Sequence, residues 1–180
     1  LGIYAAAAAK EMGAGIVISI DGITNRLDLA RQCGADETIN IQEINLPEDR
    51  IQTVKKLTEG RGADIVIEVV GIPNVVPEGI EMLRNGGSFV EVGNIWPDSN
   101  ATLDMSKLIW KMARIIPTAH YDPYTLPVAL DFLVRTANKY PLVNTMSHRF
   151  PLEDIEEAFK QSEWAGKNAS TTVTRAVLVP

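Results

Sequence analysis

The sequence predicts an α/β fold in which helices cover both faces of a doubly wound parallel sheet. Short apolar runs rich in β-branched residues alternate with helical patterns from residue 2 to residue 92. Several of these runs are followed by a glycine or an acidic residue, which is typical of strands that turn into helices. The chain has 180 residues, 46% of them hydrophobic, which is enough for one well-buried domain and a smaller segment.

The first helix and strand carry the clearest local signals. Ala5 to Ala9 predict a helix that ends at Gly13, because alanine favours helices and glycine favours the position after them. The apolar run from Ile16 to Ile20 predicts a buried parallel strand. In order, the elements predicted up to residue 92 are helix 2–12, strand 16–20, helix 24–33, strand 37–40, a helix from Pro47 to near Gly60, strand 63–69, helix 74–84 and strand 88–92.

Beyond residue 95 the alternation is weaker. A segment at 103–110 leads to a predicted edge strand at 114–118, and residues 173–179 are predicted to form a closing strand. Between them an amphipathic helix starts after Pro151, with Ile155, Ala158 and Phe159 predicted on its inner face.

Asp21 is the strongest candidate for a binding residue. It follows a buried strand directly, and a carboxylate at this end of a nucleotide-binding parallel sheet accepts hydrogen bonds from ribose hydroxyls. Gly2 precedes Asp21 by 19 positions, about where the third glycine of a G-x-G-x-x-G phosphate loop opens its helix. A single glycine fits an ordinary helix start equally well.

Arg26 lies in the first turn of the next predicted helix, five positions after Asp21. A guanidinium there can hydrogen-bond a ribose hydroxyl or stack on adenine, or it can be a solvated surface arginine. The charge of Asp21 also bears on the choice of cofactor. A carboxylate that accepts from the 2′-hydroxyl repels a 2′-phosphate, so NAD(H) is favoured over NADP(H).

Two later strands end in glycine-containing turns. Val70 and Gly71 follow strand 63–69, and Val92, Gly93 and Asn94 end strand 88–92. Ligands bind beyond the carboxyl ends of parallel strands, and a glycine there lets a flat ring or a ribose approach the backbone. Both glycines are also explained as simple turn residues.

Charge, cysteine content and hydropathy exclude several classes of protein. The formal net charge is −6 without a Lys/Arg stripe, which argues against nucleic-acid binding through phosphates. A single cysteine, Cys33, excludes a disulfide framework and favours the cytoplasm, and it is interpreted as a small buried hydrophobe. No apolar run is long enough to span a membrane, and no signal peptide is recognised.

Several ordered segments together resemble the coenzyme-binding domain of the zinc-dependent alcohol dehydrogenases of the medium-chain dehydrogenase/reductase family. The resemblance covers essentially the whole chain and begins with Gly2, the alanine-rich helix, Asp21 and Arg26. Its further segments are GADETIN (34–40), GADIVIEVVG (62–71), LRNGGSFVEVGN (83–94) and SHRFPLEDIEEAF (147–159).

The resemblance implies a Rossmann-like fold and assigns several roles. It gives Arg26 an adenosine-side role, and it places the turn at 92–94, together with Ala119 and His120, beside the nicotinamide half of the cofactor. Either Lys167 or Arg175 would contact the cofactor phosphates. His148 is expected to be structural, and neither histidine is expected to bind metal or to be catalytic, since no partners lie at ligand spacing.

The resemblance also implies what this chain would not contain. In the family, a separate first domain supplies the zinc ligands and the proton relay, so a catalytic zinc is expected only in the parent enzyme and no catalytic residue is assigned here. The chain starts at the third glycine, so the first strand of the sheet and the first part of the glycine loop are expected to be missing. We therefore expect residues 1–140 to be a truncated dinucleotide-binding domain and residues 141–180 to pack toward the absent domain.

The expected function is that of the NAD(H)-binding part of an oxidoreductase that transfers a hydride between an alcohol or carbonyl substrate and nicotinamide, with these 180 residues inactive alone. An S-adenosylmethionine-dependent methyltransferase and a non-enzymatic nucleotide-sensing module are the alternatives. The residues from Leu108 to Ile116 are the candidate interface of a homo-oligomer, with core packing as an equally weighted interpretation.

Overall fold

The structure, a computed structural model, describes residues 1–164 and 173–180. Helices and parallel strands alternate along it, as predicted. The helices are α1 Gly2–Glu11, α2 Thr24–Gln32, α3 Pro47–Leu57, α4 Val75–Met82, α5 Met105–Lys111, α6 Thr125–Thr136 and α7 Ile155–Trp164. The strands are β1 Ile18–Asp21, β2 Glu37–Asn40, β3 Ala63–Glu68, β4 Leu83–Glu91, β5 Arg114–Pro117, β6 His148–Pro151 and β7 Ala176–Val179.

The chain divides into two compact units. One contains Leu1–Glu43 and Leu126–Pro180, and the other contains Ile44–Thr125. These units are defined by how residues pack within the chain. The expected boundary at residue 140 instead separates the dinucleotide-binding domain from the segment expected to pack toward another domain. That boundary stays a prediction.

In the first unit, β1 and β2 pair in parallel from Ile18 opposite Glu37 to Asp21 opposite Asn40. Cys33 is fully buried there, which confirms its interpretation as a small core residue. Burial raises the pKa of its thiol. The buried core of this unit is formed by Ile3, Ala6, Ala7, Val17, Leu29, Ala30, Cys33, Ala35, Tyr140 and Leu142.

The C-terminal segment of the same unit contains a second parallel pair, in which β6 and β7 align from His148 opposite Ala176 to Pro151 opposite Val179. The closing strand is shorter than predicted. Ala158 of α7 is buried as expected, but Phe159 is 69% exposed and Ile155 is 39% exposed. The prediction that Ile155 and Phe159 face inwards was therefore wrong, since Ala158 is the one buried residue among the described residues of α7.

In the second unit, β3, β4 and β5 form a parallel sheet in that order. The core beneath it is formed by Val76, Ile80, Leu83 and Phe89. The strand predicted at 88–92 begins earlier, at Leu83, which pairs with Ala63. An irregularity in the register between Ala63 and Ile65 absorbs the residues around the glycine pair, as a bulge does. Helix α4 consequently ends at Met82.

The described strands form three separate sheets, of two, three and two strands. The expected loss of a first, central strand stays a prediction. None of the helices in residues 1–164 and 173–180 is both long and apolar enough to cross a membrane.

Candidate functional site

Asp21 is the last residue of β1, at the strand end where it was predicted. Its Oδ1 accepts a hydrogen bond from the backbone N–H of Ile23 at 2.9 Å, which holds the turn between β1 and α2. This local bond is typical of aspartate in turns. No hydrogen-bond donor of the described residues lies on Oδ2, so one oxygen remains able to accept from a ligand hydroxyl.

Three charged side chains lie near the amino end of α1, which begins at Gly2 as predicted. Arg175, Arg26 and Asp21 all lie close enough to the Leu1 nitrogen to interact with it electrostatically. The first turn of α1 carries no acidic residue. A helix amino terminus beside two guanidinium groups favours an anion such as a phosphate.

Of the two residues proposed to contact phosphates, Arg175 belongs to this group. Lys167 lies outside the residues that the structure describes. The choice between them stays a prediction.

In the second unit, the predicted turns at 70–71 and 92–94 are joined by a buried acidic residue that the sequence analysis did not select. Glu68, the last residue of β3, is only 5% exposed. Its Oε1 accepts from the N–H groups of Val70 and Gly71 at 2.6 and 2.7 Å. Its Oε2 accepts from the N–H of Gly93 at 3.1 Å. One carboxyl group thus binds both turns.

A second carboxyl group lies beside it. Glu91 pairs with Glu68 in the sheet register, and its Oε1 accepts from the backbone N–H groups of Gly93 and Asn94 at 3.1 and 3.0 Å. The Asn94 side chain donates to both acids, at 3.3 Å to Glu68 and 3.2 Å to Glu91. Its Oδ1 is buried without a partner in the described residues, so one acceptor of this group is unsatisfied.

The two acids titrate as a pair. Burial raises the pKa of Glu68 and contact with Glu91 raises it further, against the N–H groups of Gly71 and Val70. Burial also acts to raise the pKa of Glu91, but hydrogen bonds from Asn94, Glu68 and Gly93 outweigh it and lower that pKa. Two adjacent carboxyls do not both ionise readily. The contact between them therefore raises the pKa of Glu68 and lowers that of Glu91.

The predicted glycines have a structural reason of their own. A Cβ at Gly71 would lie 2.6 Å from the carbonyl oxygen of Gly93, and Gly71 has φ of +78°. A Cβ at Gly93 would collide with the Glu68 carboxyl group and the Gly71 nitrogen. Both glycines are therefore required by the contact between the two turns. Contact of these turns with a ligand stays a prediction.

The remaining predicted positions are less defined. Ala119 and His120 are exposed and lie outside helices and strands. His148 lies in β6, and its Nδ1 is 2.9 Å from Ser147 Oγ, which suits the structural role expected of it. Among the described residues, no three His, Cys, Asp or Glu side chains lie together as metal ligands would.

A signal for the acidic pair was present in the sequence. Glu68 and Glu91 each follow apolar residues at the end of a strand, three and two positions before a glycine. Since an isolated acid in a buried strand costs free energy, two of them at equivalent places indicate that they satisfy each other.

The fold is that of the Rossmann-like class of dinucleotide-binding α/β domains. An alcohol dehydrogenase from Thermotoga maritima matches all of this chain with a TM-score of 0.88 at 30% identity, and the match covers 47% of that protein. The model of the family described as "Zinc-binding dehydrogenase" matches residues 1–135. The chain belongs to the zinc-binding dehydrogenase family.

Curated relatives agree with this assignment. An erythritol/L-threitol dehydrogenase from Mycolicibacterium smegmatis is 35% identical over 157 residues, which is 87% of this chain and 41% of that protein. An L-threonine 3-dehydrogenase from Bacillus subtilis is 34% identical over 161 residues, which is 89% of this chain and 44% of that protein. The chain therefore spans less than half the length of these relatives. Because the relatives are dehydrogenases, the methyltransferase and sensor alternatives are not favoured.

Proposed function

We propose that this chain is the NAD(H)-binding part of an oxidoreductase that transfers a hydride between a small alcohol or carbonyl substrate and nicotinamide. The observation that carries the proposal is Asp21, placed at the carboxyl end of β1 with one oxygen bound to Ile23 and the other available. A ribose hydroxyl is the partner that such a carboxylate binds in dinucleotide-binding folds. Membership of a dehydrogenase family supports the same conclusion.

The described residues fit the parts of a dinucleotide separately. In the first unit, Asp21 would bind the adenosine ribose, Arg26 would contact the adenosine, and the amino end of α1 at Gly2 with Arg175 would bind phosphate. In the second unit, the turns at 70–71 and 92–94 would contact the nicotinamide half, as would Ala119 and His120. Bound nicotinamide supplies the hydride acceptor or donor, and the residues of this chain bind and orient it.

Zinc would be held outside this chain. We propose that residues 141–180 pack toward the domain that carries the zinc ligands, and that the complete protein works in the cytoplasm.

The Leu108–Ile116 segment is our proposed interface between two copies of the chain. Ile109 is 72% exposed, and Ile115 and Ile116 on β5 are each 44% exposed. In the described sheet, β5 pairs with β4 along one edge, so its other edge is available for pairing with a second copy.

Titration of the complete protein with NADH, followed by fluorescence or calorimetry, tests the proposal. Asp21→Asn keeps an oxygen for the Ile23 N–H but removes the charge. We expect it to weaken NADH binding by about tenfold or more, since each factor of ten is about 1.4 kcal/mol.

Asp28→Asn is the matched control, because Asp28 lies on the adjacent helix α2, pairs with Arg31 at 3.4 Å and is about half exposed. It should leave the dissociation constant within about twofold. Equal affinities of the Asp21 variant and the unaltered protein would contradict the proposed role of Asp21. Absence of NADH binding by the unaltered protein would contradict the function itself.

A further inference from the structure

We propose that Glu68 and Glu91 are positioning residues, whose paired carboxyl groups hold the turns after β3 and β4 in one arrangement and so shape the nicotinamide side of the site. This inference rests on the proposed function and deepens it. Neither acid is assigned contact with the cofactor. Both act through the backbone of the turns.

The hydrogen bonds supply the first argument. Glu68 accepts two N–H groups from the turn after β3 and one from the turn after β4, at distances between 2.6 and 3.1 Å. Glu91 accepts two more from Gly93 and Asn94. Bonds between N–H groups and a charged carboxylate are stronger than neutral ones. The pair therefore joins two turns that belong to adjacent strands.

The contact between the turns supplies the second, independent argument. The Gly71 and Gly93 backbones approach so closely that neither position has room for a side chain. A contact between two backbones leaves few alternative arrangements. Loss of the carboxyl bridge would therefore displace the turns rather than allow a neighbouring side chain to replace it.

The position of the pair explains why a ligand would respond to it. Both turns lie beyond the carboxyl ends of neighbouring parallel strands, where ligands of such sheets bind. A displacement of about 1 Å at a positioning group can cost up to about a hundredfold in rate. A small shift in the turns that Glu68 and Glu91 hold would therefore change the position of backbone atoms beside a bound nicotinamide ring.

The experiment compares NADH with ADP-ribose, which lacks the nicotinamide, as ligands of the complete protein. We expect Glu68→Ala to weaken NADH binding by about tenfold or more while ADP-ribose binding changes by less than about twofold. Glu91→Ala should show the same selectivity and serves as the second variant if Glu68→Ala does not fold. A general loss of structure would weaken the binding of both ligands to the same extent.

Glu68→Gln is the conservative variant. Its oxygen can still accept from Val70 and Gly71 and its amide can donate to Glu91, but the NH2 group that replaces Oε2 cannot accept from the Gly93 N–H. We expect NADH binding to weaken by less than in Glu68→Ala, because part of the hydrogen bonding is kept. Asp64→Ala is the matched control, because Asp64 lies near the other end of β3 and pairs with Arg84 at the surface. It should change neither affinity.

Selective loss of NADH binding in the alanine variants, with a smaller loss in Glu68→Gln, would support the inference. An equal loss of affinity for NADH and ADP-ribose, or no loss for either, would overturn the inference while leaving the proposed function intact. If the unaltered protein bound neither ligand, the proposed function would fail and this inference with it.

Discussion

Arg50 and Glu78 form a bidentate ion pair that joins α3 to α4 in the second unit. Arg50 Nε and Nη2 each donate to a different Glu78 oxygen at 2.7 Å, and Nη1 donates to the carbonyl oxygen of Ile44 at 2.8 Å. Both side chains are about nine-tenths buried. The Glu78 hydrogen bonds raise the pKa of Arg50 against the effect of burial.

Removing one member of this ion pair should destabilise the folded protein. Glu78→Ala leaves the Arg50 charge buried without its counter-ion, and we expect the free energy of unfolding to fall by about 3 kcal/mol. Urea unfolding of the complete protein measures it. Lys56→Ala, an exposed charge on the same helix α3, should change stability by less than about 0.5 kcal/mol. Similar stabilities for both variants would contradict the prediction.

The contact between the two glycine turns predicts an unequal response to alanine. Gly71 and Gly60 both have positive φ, at +78° and +81°, but a Cβ at Gly60 meets nothing within 4 Å. Gly60→Ala should therefore cost only the backbone strain, about 1 kcal/mol. Gly71→Ala should cost a further 1–3 kcal/mol or so because its Cβ overlaps the Gly93 oxygen.

Thermal or urea unfolding of the two glycine variants separates the cost of overlap from the cost of backbone strain, since the two positions have similar φ angles. If Gly71→Ala proved no more destabilising than Gly60→Ala, the two turns would not be in contact in solution.

Asp36 predicts a stability difference that depends on pH. Lys10 Nζ donates to its oxygens at 2.7 and 2.9 Å, and the Val17 N–H donates at 2.7 Å. The Lys10 hydrogen bond lowers the pKa of Asp36 below its ordinary value of 3.8, against burial, and the Val17 bond lowers it further. A lowered folded pKa adds stability above the unfolded pKa, and this stability is lost as the pH falls through the folded pKa.

Asp36→Asn should accordingly reduce stability by about 1 kcal/mol near neutral pH, a small value because the pair is partly exposed. The difference from the unaltered protein should shrink once the pH falls below about 4. Urea unfolding at several pH values measures it. A difference that stayed constant down to the acid limit of folding would show that the Asp36 charge contributes nothing.

Asp21 should discriminate between the two dinucleotides. Asp21→Ser removes the charge that would repel a 2′-phosphate, and its hydroxyl can still accept from the Ile23 N–H. We expect the ratio of the dissociation constants for NADPH and NADH to fall by about tenfold. Parallel titrations with the two dinucleotides measure it, with Asp28→Ser on α2 as the control. An unchanged ratio would mean that Asp21 does not face the 2′ position.

The sequence predicted where residues of the proposed site lie in the fold more accurately than it predicted which residues they contact. Gly2 begins α1 and Asp21 ends β1, as predicted, because both follow from local patterns of apolar residues and glycine. Phe159 was misplaced, since an amphipathic pattern indicates a stripe and not the one residue that becomes buried. Glu68 was missed because three of the residues it contacts, Glu91, Gly93 and Asn94, lie on or just after another strand.

The sequence by itself determined the order of helices and strands, the family, and the placement of an acid at the end of β1. These depend on residues that are neighbours in the chain. Only the tertiary structure decided that Glu68 meets Glu91, that Gly71 meets Gly93 and that Arg50 meets Glu78. Such pairs form between residues far apart in sequence, so their burial, hydrogen bonds and protonation depend on how strands and helices pack.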